Sequence, residues 1–388
     1  MTMLKYILYW FLFFLLFYAE SISFGAFTLS QLWKIPLVIY LLIYAVTKKC
    51  HFGFVVSGLL YAVIQLMNAD ILVEPTTAII RCARFANMPL LFVYMYHNLT
   101  KPYQVRHLLL VVSQFFILST IPYLAGILHQ KEIDLVFGNT IGFMGFFQNL
   151  HAASITLSIS TIVVAFFLKE ERMPKIHRYY NTALLLLGVY CVYATFVRTG
   201  MLMLLIGMLI LFFPKQLRIK DVAVGTCITI VLLGFFYNQF QTNEDFKNRI
   251  LDNNEQIDLN HAGSGRVDFL HYGLETYKKN DSVYARLFGI GTINAIAATY
   301  SRFGLSIGFH NGFIDALVMN GLVGLLLIII LCLTMLQYIR QRKRAYMYKL
   351  LLAFFFCYLS CMFTQGNIGF PFDFYTALLL CALNVDIH

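Results

Sequence analysis

Three side chains stand at the ends of apolar segments, where they could bind and activate an anionic substrate. Arg198 lies in a short turn between two apolar runs, where Thr199-Gly200 is expected to form the turn. Arg266 follows a Gly-Ser-Gly sequence, and His310 opens a later apolar run. Guanidinium groups bind phosphate oxygens in bidentate pairs and can neutralise the charge that develops on a departing diphosphate. A neutral imidazole can accept a proton from an attacking hydroxyl near pH 7. These residue types therefore predict chemistry on a lipid diphosphate.

A second pair of cations lies in an apolar segment nearer the N terminus. Arg81 and Arg84 are three residues apart, so they would share one face of a predicted helix over residues 78–96. At membrane depth such charges either line a cavity or extend to the phosphate headgroups. Both interpretations stay open for this pair, as does an interfacial anchor for Arg198 and a capping role for His310.

The sequence favours neither metal nor nucleic-acid chemistry. Its eight cysteines are scattered, with neither the spacing of a zinc site nor that of a disulfide framework. No acid-rich pocket is evident that would require a divalent cation, so we expect no metal and no cofactor. The formal net charge of +10 follows membrane topology and no basic-aromatic recognition module accompanies it, so nucleic acid is not an expected partner.

The elements that position these residues are predicted to be membrane helices. Hydrophobic residues make up 60% of the 388 residues and charged residues only 12%, a balance typical of membrane proteins. A helix needs about 20 apolar residues to cross the hydrocarbon core. The sequence thus predicts an all-α, polytopic transmembrane helical bundle with about 12 spans. The predicted spans are 4–19, 31–47, 52–67, 78–96, 107–128, 151–168, 180–196, 199–213, 220–238, 312–337, 349–364 and 373–387.

Charge alternates between the connections of these spans. Basic connections, such as Lys48-Lys49 and residues 340–349, alternate with acidic ones, such as residues 70–74 and 244–258. The positive-inside rule therefore predicts that both termini lie in the cytoplasm. Residues 239–310 are predicted as one large extracytoplasmic loop between spans nine and ten of a single integral membrane domain, residues 1–388.

The large loop is predicted to contain short amphipathic helices. Val267, Leu270, Leu274 and Tyr277 repeat at helical spacing, which predicts a helix lying along the outer membrane surface. Arg266 would stand at its start, beside backbone donors that favour an anionic oxygen. All five cationic side chains described above map to this same membrane face, and we expect them to form one site.

Four motifs occur one after another along the chain. They are residues 142–151 (GFMGFFQNLH), Val197-Arg198-Thr199-Gly200, Gly265-Arg266 with Gly289-Ile290-Gly291, and His310-Asn311-Gly312-Phe313 with Gly321-Leu322-Val323-Gly324. Over roughly residues 140–335 the chain resembles the O-antigen ligase and polysaccharide polymerase superfamily of bacterial envelopes. Two departures are Val197 in place of the usual Ser, and Phe269 or Tyr272 in place of the usual Trp after Gly-Arg.

The resemblance implies metal-independent glycosyl transfer on the outer face of the bacterial cytoplasmic membrane. The donor would be an oligosaccharide on undecaprenyl diphosphate, and the acceptor a glycan or another lipid-linked molecule. Arg198 and Arg266 would hold the diphosphate, and His310 would position or deprotonate the acceptor hydroxyl. Asn311, Gly289 and Gly291 match motif positions and are expected to bind substrate. Membrane lipids, a flippase and a chain-length regulator are the partners that this resemblance suggests.

Some alternative functions share this chemistry and others do not. Within the same chemistry, a polymerase of O-antigen or capsule repeat units is favoured over a ligase that transfers the glycan to lipid A-core. A lipid-linked glycan transporter would also use many spans, but such carriers tend to have paired halves, and here the polar residues lie in one segment. A polyprenyl-phosphate glycosyltransferase would need an acidic pair in its first outer loop, where only Glu20 is available.

Overall fold

A computed structural model describes most of the chain. The described residues are 23–24, 27–48, 52–67, 75–130, 142–147, 149–170, 173–212, 266–305, 307–365 and 370–385, with a few positions between 234 and 244. The predicted spans 4–19 and 220–238 lie outside these residues, as does most of the segment 239–265. Each predicted span inside them coincides with a helix, although residues 107–128 form two helices separated by a turn at Ser119–Thr120.

The described chain is helical apart from one small ribbon. Two short antiparallel strands, β1 and β2, pair Ser23 with Thr28 and Phe24 with Phe27. The helices are α1 (Leu29–Thr47), α2 (Gly53–Met67), α3 (Pro75–Asn98), α4 (Pro102–Leu118), α5 (Ile121–Leu124), α6 (Leu150–Glu170), α7 (Lys175–Ala194), α8 (Arg198–Phe212), α9 (Arg266–Lys278), α10 (Val283–Phe288), α11 (Thr292–Phe303), α12 (Gly312–Gln341), α13 (Tyr348–Thr364) and α14 (Phe370–Val385).

Helix α6 lies at the centre of the bundle. Its most apolar stretch is 89% buried, and it packs against α4, α7 and α8. Gly200 of α8 allows this packing, because a Cβ there would collide with Ser154 Oγ and lie 2.8 Å from Ser154 Cβ. Small residues of this kind let membrane helices approach closely. The Ser158 hydroxyl also donates across the interface to Gly200 O (2.8 Å).

Buried hydroxyls join three of the helices. Tyr375 Oη of α14 lies 2.9 Å from both Ser113 Oγ of α4 and Ser160 Oγ of α6. Ser113 and Ser160 also donate to backbone carbonyls of their own helices. Buried polar groups are stabilising when they are hydrogen-bonded, so this cluster fixes α14 against the central helices.

The apolar helices identify an integral membrane protein. Among the described residues, three helical stretches are long and apolar enough to cross a membrane: Pro102–Leu124, Leu150–Glu170 and Gly312–Gln341. Shorter apolar helices include α8, whose 15 residues would extend about 22 Å, less than the roughly 30 Å of a hydrocarbon core. The number of crossings and their orientation therefore remain sequence-based predictions.

Candidate functional site

The first part of the site is the contact between α9 and the start of α12. Arg266 is the first residue of α9, and its charge acts on His310, which stands two residues before α12. The Phe269 ring lies edge-on to the His310 imidazole with 5.6 Å between centroids. Gly273 brings α9 close, because a Cβ there would collide with Ile314 and lie 3.0 Å from Phe309. Residues from two distant motifs are thus brought together.

The backbone and the environment of His310 are both unusual. Its φ of 53° lies in the left-handed region, which non-glycine residues seldom adopt and which is common at functional sites. Burial, and then the nearby charge of Arg266, lower the pKa of His310 from 6.5 to about 4. The imidazole is therefore neutral at pH 7 and retains a nitrogen lone pair that can accept a proton.

Two hydrogen-bonded side chains fix the segment that carries His310. Asn311 caps α12, since its Oδ1 accepts from the amides of Phe313 and Ile314, each at 3.1 Å. Asp315 Oδ1 accepts from the Phe309 amide at 2.7 Å. Phe309 and Asn311 are thus both held by hydrogen bonds. His310 lies between them, so its strained backbone is held from both sides.

Gly289 and Gly291 lie where α10 crosses a kink in α12. The Ile290 and Gly291 amides donate to Val318 O (3.0 Å) and Met319 O (3.1 Å). A Cβ on Gly289 would collide with the Met319 backbone, and Gly321, with a φ of 69°, approaches Leu287 equally closely. Both glycines have positive φ as well. This geometry gives Gly289 and Gly291 a packing role, and their substrate contact stays a prediction.

The second part of the site is the hairpin between α7 and α8. The expectation that Thr199-Gly200 forms the turn is wrong, because α8 begins at Arg198 and the turn is Thr195–Val197. Phe196 takes the positive φ of 53° that reverses the chain. Gly200 is needed instead for contact with α6. Arg198 is half-buried and stands at the N terminus of α8, where the helix dipole favours a bound anion.

The end of α13 connects the two parts. Phe363 O accepts from Asn311 Nδ2 (3.2 Å), beside His310. Gln365 Nε2 lies 2.7 Å from His151 Nδ1 at the start of α6 and 3.3 Å from Thr199 Oγ1, beside Arg198. The His310 and Arg198 segments are therefore held against the same turn of chain, at one end of the bundle.

Arg81 and Arg84 belong to a different helix, α3. Arg81 is half-buried and Arg84 is exposed on α3, whose main contacts are with α1, α2 and α14. They occupy the N-terminal part of that helix, and a ligand contact for either residue stays a prediction.

The buried residues of α9 lie outside the predicted apolar stripe, whose contact with the membrane surface stays a prediction. Phe269 and Gly273 are buried, whereas Val267 is 42% exposed. The apolar stripe predicts that α9 lies along the membrane surface. In the structure α9 packs on α12, and the two aromatic candidates Phe269 and Tyr272 face Phe303, with centroid separations of 4.3 and 5.4 Å.

A family comparison bears on this geometry. Residues 183–329 match the family model described as O-antigen ligase. This segment, 147 of the 388 residues, is similar to the O-antigen ligase family. Arg198, Arg266 and His310 all lie within it, with Asn311 and both loop glycines, whereas Arg81, Arg84 and the run 142–151 lie outside. No curated protein matches the chain.

Sequence reasoning missed His151, Gln365 and Thr199 as partners within one cluster. The sequence patterns assign His151 only to the end of a motif and Thr199 only to a turn. Gln365 offered no local signal, because a glutamine after an apolar helix is common. Only the packing of α13 between α8 and α12 brings these side chains together. In the part of the chain that the structure describes, no group of three His, Cys, Asp or Glu could hold a metal ion.

Proposed function

We propose that this protein is a membrane glycosyltransferase that assembles cell-surface polysaccharide. Its donor is an oligosaccharide on undecaprenyl diphosphate at the extracytoplasmic face of the cytoplasmic membrane. Its acceptor is a second lipid-linked repeat unit, so the product is a longer O-antigen or capsular chain. The family match supports polysaccharide assembly, and the polymerase assignment goes one step further.

The observation that carries this proposal is the pairing of a neutral histidine with arginines at one end of the bundle. His310 contacts the α9 helix that begins at Arg266, and its segment shares the α13 turn with Arg198. Cations that bind a diphosphate would otherwise stand beside a protonated, repelling imidazole. The lowered pKa of His310 removes that conflict at neutral pH.

These residues support a single displacement step. The acceptor hydroxyl oxygen attacks the anomeric carbon of the donor while the bond from that carbon to the diphosphate oxygen breaks. His310 accepts the hydroxyl proton, and the electron pair of the broken bond leaves on the diphosphate. Arg198 and Arg266 stabilise the additional negative charge, which forms chiefly in the transition state.

A ligase is the second candidate, favoured by the description of the matched family as O-antigen ligase. The chemistry at the donor would be the same. Only the acceptor would differ, with lipid A-core or another terminal molecule replacing the lipid-linked repeat unit.

A glycan ladder gel tests both candidates. A strain that lacks the protein is complemented with the wild type, Arg198→Ala or His310→Ala, and membrane expression is checked for each. Arg178→Ala and His177→Ala are matched controls, because both residues are exposed at the opposite end of α7 from the hairpin. We expect the controls to restore the ladder and the two site variants to lose it.

The products in the deletion strain separate the candidates. Single repeat units on the final carrier without a ladder indicate a polymerase. A ladder that accumulates on undecaprenyl diphosphate and never reaches its carrier indicates a ligase. Normal ladders from well-expressed Arg198→Ala and His310→Ala would reject the proposed site.

A further inference from the structure

A groove of about 650 Å³ opens beside the α7–α8 hairpin. Its lining includes Tyr123 of α5, His129 and Gln130 after it, Phe143, and Phe196 of the hairpin turn. The volume is within the range of small-molecule sites, roughly 300–1,000 Å³. Phe196 stands two residues before Arg198, so the groove is adjacent to the proposed diphosphate site. Most of its lining lies outside the segment that matches the O-antigen ligase family.

The walls of the groove are held by hydrogen bonds. Gln130 Oε1 accepts from the Met144 amide (2.9 Å), and Gln130 Nε2 donates to Gly142 O (3.2 Å). The Phe143 amide donates to Ala194 O at the end of α7 (2.8 Å). These contacts join three separate chain segments around one opening. The groove is thus formed before any ligand binds, which lowers the entropic cost of binding.

The chemistry of the lining suits a neutral, hydroxyl-rich ligand. Tyr123, Phe143 and Phe196 provide aromatic faces, which are electron-rich and attract C–H bonds. His129 and Gln130 provide hydrogen-bonding groups, and both are exposed. The described lining contains no Lys, Arg, Asp or Glu. The described lining therefore offers a diphosphate no counter-charge, whereas a sugar ring presents both C–H faces and hydroxyls that this lining can contact.

The surroundings of the groove indicate that its ligand is attached to a lipid. Ile121, Leu124 and Ile127 of the α5 segment are 43%, 37% and 75% exposed. A cluster of exposed apolar side chains beside polar ones is typical of membrane interfaces. The groove therefore adjoins an exposed apolar surface, and a glycan attached to a lipid could reach it from the membrane.

We propose that this groove is a saccharide subsite that binds the sugars of the donor glycan while Arg198 holds its diphosphate. The inference rests on the proposed function for the identity of the donor. The groove selects among glycans through aromatic stacking and amide hydrogen bonds, and it takes no part in the bond-breaking step.

A tryptophan reporter tests this subsite on the purified full-length protein in nanodiscs. Tyr123→Trp is placed in a background with the two native tryptophans changed to Phe (Trp10→Phe, Trp33→Phe). The probes are the lipid-linked oligosaccharide of the producing strain, the free oligosaccharide released from it by mild acid, and inorganic diphosphate. Tyr103→Trp is the matched control, because Tyr103 is exposed at the opposite end of α4.

We expect both glycan probes to change Tyr123→Trp fluorescence saturably and inorganic diphosphate to have no effect. His129→Ala and, separately, Phe196→Ala should weaken binding of the free oligosaccharide about tenfold, the effect of losing one or two modest contacts. Arg198→Ala should weaken binding of the lipid-linked probe only. His129 and Phe196 lie in different walls of the groove, so one variant still tests the subsite if the other folds poorly.

Two outcomes would overturn the subsite. One is a reporter that responds to neither glycan, and the other is a response to the lipid-linked probe alone, which would place lipid or diphosphate in the groove. The ladder experiment separates this failure from failure of the proposed function. A lost ladder in Arg198→Ala with a silent reporter would reject the subsite alone, and a normal ladder with a responding reporter would reject the function alone.

Discussion

At the scale of single residues, His310 links structure to pH dependence. Burial and the charge of Arg266 lower its pKa to about 4, so the proton-accepting form is present above that pH. We therefore expect kcat/KM for glycan transfer to rise as pH increases through about 4 and to be flat toward 7, as far as this group determines it. Arg266→Gln removes one of the two causes of this low pKa. The pKa of His310 should therefore rise, and the acid limb of the pH profile should move to higher pH.

The measurement is the pH profile of residual transfer in Arg266→Gln beside the wild type. Arg302→Gln is a matched control, because Arg302 is an exposed arginine in α11, in the same loop segment. An unchanged acid limb in Arg266→Gln, despite lower activity, would show that another group is the proton acceptor.

Gln365 provides a second residue-scale prediction. Its amide lies within hydrogen-bonding distance of His151 Nδ1 and Thr199 Oγ1, so we infer that it positions the start of α8, where Arg198 stands. Gln365→Leu should lower kcat about tenfold, the effect of losing one or two hydrogen bonds at a partly buried site, while KM for the acceptor changes little. Steady-state kinetics in nanodiscs measure this division.

Rescue distinguishes positioning from a general loss of structure. Ser360→Ala, near the end of α13, is a matched control, because the Ser360 hydroxyl donates to Phe356 O of its own helix (2.9 Å). Gln365→Leu is also made in an Arg198→Ala background. If it lowers both the thermal stability and the residual activity of that variant, the positioning role would be wrong. A positioning effect should instead be small once Arg198 has been removed.

Some of these residue roles could be predicted from sequence and others could not. Arg266 and His310 were predicted to share one site because both adjoin the same polar segment, and the structure brings them together. The strain at His310 and Phe196 has no sequence signature, since neither position is Gly or Asn. The link through Gln365 depends on how α13 packs, and single-sequence patterns contain no information on helix order in space.

At the scale of elements, the interface of α6 and α8 explains the glycine that follows Arg198. Gly200→Ala should lower the apparent melting temperature in detergent by several degrees, because the new Cβ would collide with Ser154. Ala normally favours a helix over Gly by about 1 kcal/mol, so the collision has to exceed that gain. Thermal unfolding followed by fluorescence measures the difference.

Two variants give this prediction its controls. Gly58→Ala in α2 brings its new Cβ within 3.3 Å of the Leu331 and Pro89 side chains, a much smaller overlap, so it should lower the melting temperature less than Gly200→Ala. Adding Ser154→Gly to Gly200→Ala removes the colliding side chain and should restore part of the stability. A Gly200→Ala protein as stable as the wild type would mean that α6 and α8 pack less closely than the structure shows.

The elements themselves were the most predictable part of the fold. Each predicted span within the described residues coincides with a helix, because a run of about 20 apolar residues is a strong signal. Boundaries at functional turns were predicted less well. Phe196, and not Thr199-Gly200, reverses the chain before α8, since the glycine is required for helix contact. The contact of α9 with α12 through Phe269 and Gly273 was not predicted, because the apolar stripe was assigned to the membrane surface.

At the scale of the whole molecule, the packing gathers helix ends from distant parts of the chain. The starts of α6, α8 and α12 and the end of α13 meet through the contacts of Gln365 and Asn311. Antiparallel neighbours place such ends on one membrane face. A substrate that carries both a lipid and a glycan could then reach the site from the bilayer with its sugars in water.

The orientation of this end is the final prediction. The positive-inside rule places Arg344, in the basic connection after α12, in the cytoplasm and therefore the loop containing Lys279 outside. Single cysteines at these exposed positions, Lys279→Cys and Arg344→Cys, are made in a variant with its eight native cysteines replaced by Ala. A membrane-impermeant maleimide on intact spheroplasts should label only Lys279→Cys, and lysis should expose Arg344→Cys. The opposite pattern would place Arg198, Arg266 and His310 in the cytoplasm, where an extracytoplasmic polymerase could not use them.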